Sequence, residues 1–282
     1  MLNYKSILKR KPAGPTRTIK ALAAADCPEH PFARVLVLLM SEAIFALLVI
    51  VLNFVFREVY MDVFITQTSL DAVVPREQYV DMWAVGLRFD AQFAYYMMLP
   101  GVFVAIFGLL GPAFFKLCMK ILGTWFTLCA FYLIVTTIAN IHVLGATGLP
   151  LTAAQLSAFF DAPLSHLWAY SSDFPIFFDC LITVVVTGIF LGLWQRFTTI
   201  FSTSSLWKNE NWTNWLLCLT CFFGLMWTSV QSSITTSDPL TPRHALISEY
   251  PMVNFIVMNA PMSIYYSDAH EMLAHPEQTQ TH

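Results

Sequence analysis

The sequence predicts an all-α polytopic membrane protein, with five transmembrane helices and external amphipathic helices lying at the interface. Three observations carry this expectation. The chain is 57% hydrophobic and 12% charged over 282 residues, where a soluble domain carries about 25% charged residues, and its mean hydropathy is +0.61. Five apolar runs reach the length of roughly 20 residues that a bilayer crossing takes. The basic residues between those runs alternate from one side to the other.

The runs lie near 35–56, 91–112, 121–141, 174–195 and 213–233. The first, "VLVLLMSEAIFALLVIVLNFVF", carries a single charge, Glu42. The fifth, "TNWLLCLTCFFGLMWTSVQSS", is the most polar. Lys and Arg set the orientation. Residues 1–34 hold Lys5, Lys9, Arg10, Lys11, Arg17, Lys20 and Arg34, and the loops after spans two and four add Lys116, Lys120, Arg196 and Lys208. The opposite side holds only Arg57, Arg76, Arg88 and Arg243. The N-terminus is therefore expected in the cytoplasm and the C-terminus outside. Three parts follow: a basic cytoplasmic tail over 1–34, a five-helix membrane domain over 35–233, and an external tail over 234–282. The basic start is too long, and the apolar run after it too extended, for a cleavable secretory signal.

The segments between spans are themselves informative. Residues 57–90 mix apolar and acidic side chains, which predicts a partly helical interfacial stretch broken at Pro75. Thr152 and Gln155 have capping-box spacing ahead of a short helix whose apolar face is Leu156, Phe159 and Phe160, continued by Leu164, Leu167 and Trp168. Cys218-x-x-Cys221 lies in "LLCLTCFF" without further ligands, so packing is the reading for both cysteines. No Gly-x-Ser-x-Gly, His-Glu-x-x-His or phosphate loop occurs, which leaves no catalytic or metal-ligating residue to assign. Asn211-Trp-Thr213 fits a glycosylation pattern but falls on the expected cytoplasmic side.

Ionisable groups at membrane depth cost several kcal/mol and mark sites worth explaining. Glu42 either binds a proton or ion, or bonds a neighbouring helix; the structural reading is preferred. Asp179, early in the fourth run, either reaches the outer interface or pairs with a cation such as His142 or Arg88. Arg88 and Asp90 stand two residues apart, so a helix turns them to nearly opposite faces. Asp90, at the expected helix start, is favoured by the helix dipole and turns to a protein partner. Arg88, at headgroup depth, either anchors the span end or holds a lipid phosphate through its guanidinium. Glu42, Asp90, Asp179 and His142 are thus the structural intramembrane polar set, and Arg88 the lipid-binding residue, with an anionic phospholipid as its partner. Nothing points to nucleic acid.

The stretch "GLRFDAQFAYYMMLP" resembles the start of the second span in lipoteichoic-acid-synthase-like proteins, the phosphoglycerol transferases of the alkaline phosphatase/sulfatase superfamily. Gly86, Leu87, Arg88, Phe89, Asp90, Leu99 and Pro100 match that family's wording. Asn259, Pro261, Ser263, Tyr265 and Tyr266 in "NAPMSIYY" resemble the segment by which the family leaves the membrane. The resemblance implies a membrane module in a bacterial cytoplasmic (inner) membrane. Such a module serves an external domain, downstream or separately encoded, that moves a phosphoglycerol or phosphoethanolamine headgroup from a lipid to an acceptor. The family's metal-bound Thr nucleophile, and the Mn or Mg it uses, belong to that external domain. The chain reaches His282 where that domain begins, so no catalytic residue and no cofactor carries over. Two other readings stand beside this one. The first is a non-enzymatic membrane scaffold or assembly protein. The second is a small transporter, supported by Glu42 and Asp179 and weakened by the lack of a polar stripe along any span.

Overall fold

The computed structural model describes residues 27–276 except 69, 71–72, 164, 166–173, 204–211 and 232–237. The basic residues before position 27, together with Leu164, Leu167, Trp168, Lys208, Asn211 and His282, lie outside the described residues. The architecture is all-α, with a single isolated bridge between Gln231 and Pro239 among the described residues.

Helix α1 runs from Pro31 to Met61. Pro31 opens it at a position where the missing N–H is no loss, and the His30 side chain accepts from the Phe32 N–H at 3.2 Å. A π-turn, Asp62–Thr66, ends it. Helix α2, Arg76–Ile106, starts directly after Pro75 and keeps Pro100 inside it. The expected break at Pro75 is present, and the stretches on either side of it are helical. They are extensions of α1 and α2 that carry both helices well past the apolar runs. At 1.5 Å per residue, 31 residues span about 46 Å, against about 30 Å of hydrocarbon.

A 3-10 turn, Phe107–Leu110, leads to Gly111, and Pro112 then opens α3, Pro112–Thr147. Gly111 has φ 144°, a value that L side chains rarely adopt, and this allows α2 and α3 to reverse direction across one residue. Gly148, at φ 73°, closes α3 in the left-handed conformation usual for a helix end. Helix α4, Ala153–Asp161, carries the capping box: Thr152 accepts from the Gln155 N–H, and Gln155 accepts from the Thr152 N–H. None of its residues is buried, and Phe160 is 68% exposed. Helix α5 is Ile176–Ser202 and α6 is Trp212–Val230.

Among the described residues, four helices, α1, α2, α3 and α5, are long and apolar enough to cross a membrane. The fifth, α6, has 19 residues and a shorter apolar stretch, Trp212–Trp227. The outer surfaces of these helices are apolar: Phe103, Phe177 and Val184 are all more than 60% exposed. Tryptophans tie the helices from inside. The Trp194 Nε1–H of α5 donates to the Ser41 carbonyl of α1 at 2.9 Å, and the Trp125 Nε1–H of α3 donates to the Met97 carbonyl of α2 at 2.8 Å. Phe45 stacks on Phe126 at 4.0 Å between α1 and α3.

The segment after α6 differs most from expectation. Expected as a tail leading away from the membrane domain, it packs against the bundle. Helices α7, Pro251–Val257, and α8, Ala260–Tyr265, sit against α2 and α3, and every residue over 253–264 is buried. The cause is local composition: Phe255, Ile256, Val257, Met258 and Met262 are apolar side chains that a solvated linker would leave in water. Asn254 fixes the approach to α7. Its side chain accepts from the Ile247 and Ser248 N–H groups and donates to the Ser248 carbonyl.

Candidate functional site: a buried ion pair clamping the C-terminal segment

Arg57 stands on α1 one turn before its end, and Asp90 stands in the middle of α2. Their side chains, 2% and 0% exposed, form a two-pronged ion pair: Nη1 donates to Oδ2 at 2.8 Å and Nη2 donates to Oδ1 at 2.9 Å. The fork of the guanidinium matches the carboxylate plane, which is the strong form of this contact. The third partner comes from the far end of the chain. Asn259 Nδ2 donates to Asp90 Oδ1 at 3.0 Å, while Asn259 Oδ1 accepts from the Met262 N–H and so caps α8. Arg57 completes the clamp with longer bonds from Nε to the Ile256 carbonyl, 3.4 Å, and from Nη2 to the Val257 carbonyl, 3.3 Å. One guanidinium therefore holds α2 and the turn between α7 and α8 onto α1.

Space for the guanidinium comes from Gly86. A Cβ at that position would lie 2.5 Å from Arg57 Cζ. The Trp83 ring covers the arginine at 5.5 Å and itself packs on Phe54 at 4.3 Å. Beside the clamp runs a chain of neutral hydrogen bonds. The Leu151 N–H donates to Asn140 Oδ1 at 2.6 Å, Asn140 Nδ2 donates to the Tyr60 hydroxyl at 2.8 Å, and that hydroxyl donates to the Thr137 carbonyl at 3.1 Å.

This geometry corrects the sequence reading of Asp90 in one respect. Asp90 lies fourteen residues beyond the first residue of α2, outside the first turn where the helix dipole acts. Arg57 supplies the stabilising charge instead. Arg57 was read only as an external cation, and its role was missed, as were those of Asn140 and Tyr60. The one available signal was positional: Arg57 follows the first apolar run and Asp90 precedes the second, so an antiparallel pair of helices brings them level.

Arg88 occupies a different face of α2. It is half-buried, and no described residue forms a hydrogen bond or ion pair with its side chain. His142 of α3 and Asp179 in the first turn of α5 meet at 2.8 Å, each about a quarter exposed, with Phe174 at 4.6 Å from the imidazole. Exposure of that order limits what the pair adds to stability. Glu42 is fully buried in α1 and its carboxyl lies against Gly101 of α2, where a Cβ would fall 2.7 Å from Cδ. Neither carboxyl oxygen has a partner among the described residues. Cys218 is half-buried and Cys221 exposed, and no group of three metal-ligating side chains occurs among the described residues.

The end of the described chain is held by a second contact. Ser263, fully buried on α8, and His270 Nε2 lie 3.0 Å apart. Burial pushes the His270 imidazole below its usual 6.5. The folded state thus prefers neutral His270, while the unfolded chain protonates near 6.5. The stability this confers is present above pH 6.5 and is lost as the pH falls from 6.5 through the folded-state value. Melting temperature should therefore drop on acidification from pH 7.5 to 5.5, and His270→Gln should remove part of that dependence. An identical pH profile in the variant would contradict the assignment.

No family model, curated protein or solved structure matches this chain.

Proposed function

We propose that the chain is the membrane-anchoring and lipid-presenting module of a lipoteichoic-acid-synthase-like transferase, which moves a phosphoglycerol- or phosphoethanolamine-type headgroup to an external acceptor. The observation that supports this most is the meeting of the two stretches that resemble that family. Asp90 of the first and Asn259 of the second, 169 positions apart, share a hydrogen bond. Gly86 of the first makes room for the arginine that binds Asp90 and the Ile256 and Val257 carbonyls just before Asn259. Residues of a shared motif that converge in space are what a common module needs; residues matched by chance have no reason to do so.

In this reading α6 is a fifth crossing, the N-terminus lies in the cytoplasm and the C-terminal segment is on the outer side of a bacterial inner membrane. The clamp then fixes the segment that leads toward a catalytic domain, downstream or separately encoded, against the outer ends of α1 and α2. Arg88, without an ionic partner among the described residues, meets the phosphate of an anionic phospholipid on the neighbouring face.

Two measurements test the proposal. Cells lacking the chain should lose transfer of labelled headgroup from phospholipid to the envelope. Unchanged transfer in the deletion strain would refute it and favour a scaffold without enzymatic partners. In addition, Arg88→Gln should reduce anionic lipid co-purifying with the protein, by native mass spectrometry, with little change in melting temperature. Retained lipid together with a much lower melting point would make Arg88 a structural anchor.

A further inference from the structure

One polar group beside the clamp lacks a protein partner. Asn53 lies on α1 one turn before Arg57 and is 3% exposed, and its Nδ2 has no acceptor among the described residues. Buried amides are nearly always bonded, and an exception calls for an explanation. Asn53 borders a cavity between α1, α3 and the turn joining α7 to α8, lined also by Arg57, Tyr60, Thr137, Ile256 and Asn259. The cavity measures about 10 Å³, counted as the space open to the centre of a water. That is close to the room a single water requires.

We infer that this cavity is a site for one ordered water that accepts from Asn53 Nδ2 and joins α1 to the C-terminal segment. A buried water needs two to four polar partners, and the lining can supply them. The Tyr60 hydroxyl spends its proton on Thr137 and one lone pair on Asn140, which leaves a second lone pair. The Ile256 carbonyl receives only the long 3.4 Å bond from Arg57 and also keeps a lone pair. Water donates to both and accepts from the amide, so one molecule meets all three requirements. A cation is excluded by the guanidinium of Arg57 in the same wall, and an organic ligand by the volume. The bridge merges the Arg57–Asp90–Asn259 clamp and the Tyr60–Asn140–Leu151 chain into one network. It thereby couples the exit segment to the loop that follows α3.

The test is a structure of the full chain in lipid nanodiscs at a resolution that shows ordered water. A peak is expected within hydrogen-bonding distance of Asn53 Nδ2 and of Tyr60 Oη or the Ile256 carbonyl oxygen. The absence of a peak, or an amide turned onto a protein carbonyl, overturns the site. A melting curve of Asn53→Leu gives an independent readout. If the amide is hydrated, leucine removes a satisfied contact and the melting temperature stays level or falls. If the amide is dry, leucine removes an unpaired donor and the melting temperature rises by a few degrees, which overturns the inference.

Discussion

Asp90→Ala should cost about 3–5 kcal/mol, the range for removing one partner of a buried ion pair, and lower the melting temperature by roughly 10 °C. The loss exceeds that of an ordinary hydrogen bond because of what remains. Arg57 would keep its charge inside the bundle, with only two long bonds to carbonyls to satisfy five N–H donors. Asn259 would lose its acceptor at the same time. Exchanging both charges for leucine, Arg57→Leu with Asp90→Leu, should recover a large part of the loss, since no uncompensated charge is left behind. Thermal melts of the three proteins in one detergent decide this. If the double variant is no more stable than Asp90→Ala, the destabilisation lies in packing, and the ion pair is not its cause.

Gly86→Ala should be the second most damaging small change. Alanine is better than glycine in a helix by about 1 kcal/mol, so propensity alone predicts stabilisation. The added Cβ, however, would stand 2.5 to 2.7 Å from three guanidinium atoms of Arg57. That group is pinned by Asp90 and cannot swing aside without breaking the bidentate contact. Overpacking typically costs about 1–3 kcal/mol, and the disturbed ion pair adds to it, so the net change should be destabilising by about 2 kcal/mol. Gly188→Ala on α5 is the control. A Cβ there meets nothing within 4 Å, so only the propensity gain operates and the melting temperature should hold or rise. Equal behaviour of the two variants would mean that Gly86 is not the space the arginine occupies.

The apolar runs were legible because bilayer-facing helices advertise themselves by composition: α1 and α3 contain the runs read at 35–56 and 121–141, while those read at 91–112 and 174–195 overlap α2 and α5, the former running on past Ile106 through the turn to Pro112. Their ends were not legible. Arg57, Glu58, Arg76, Asp81, Arg88 and Asp90 lower the local hydropathy, and a hydropathy reading assigns such residues to a loop. In the fold they extend α1 and α2, with Arg57 and Asp90 buried against each other. The site was legible only in pieces. Asp90 was singled out and given an inward-facing partner, and His142 was one of two cations offered to Asp179. Arg57 was passed over because a lone arginine after an apolar run is an ordinary orientation signal. The burial of residues 253–264 was missed for a related reason: a tail is short of the periodicity that would announce a long helix, and α7 and α8 have only seven and six residues.

The order in which the ribosome delivers the clamp has a consequence for biogenesis. Arg57 emerges 33 residues before Asp90, whereas Asn259 follows Asp90 by 169. At about 5–20 residues per second, the charged hairpin of α1 and α2 waits roughly ten to thirty seconds for the side chain that completes it. During that interval the guanidinium and carboxylate neutralise each other, which lets two charges enter the translocon as a pair, while the groove meant for residues 253–264 stays open. A nascent chain truncated before Asn259 should therefore insert yet stay a target for membrane quality control until residues 253–264 are made and fill that groove.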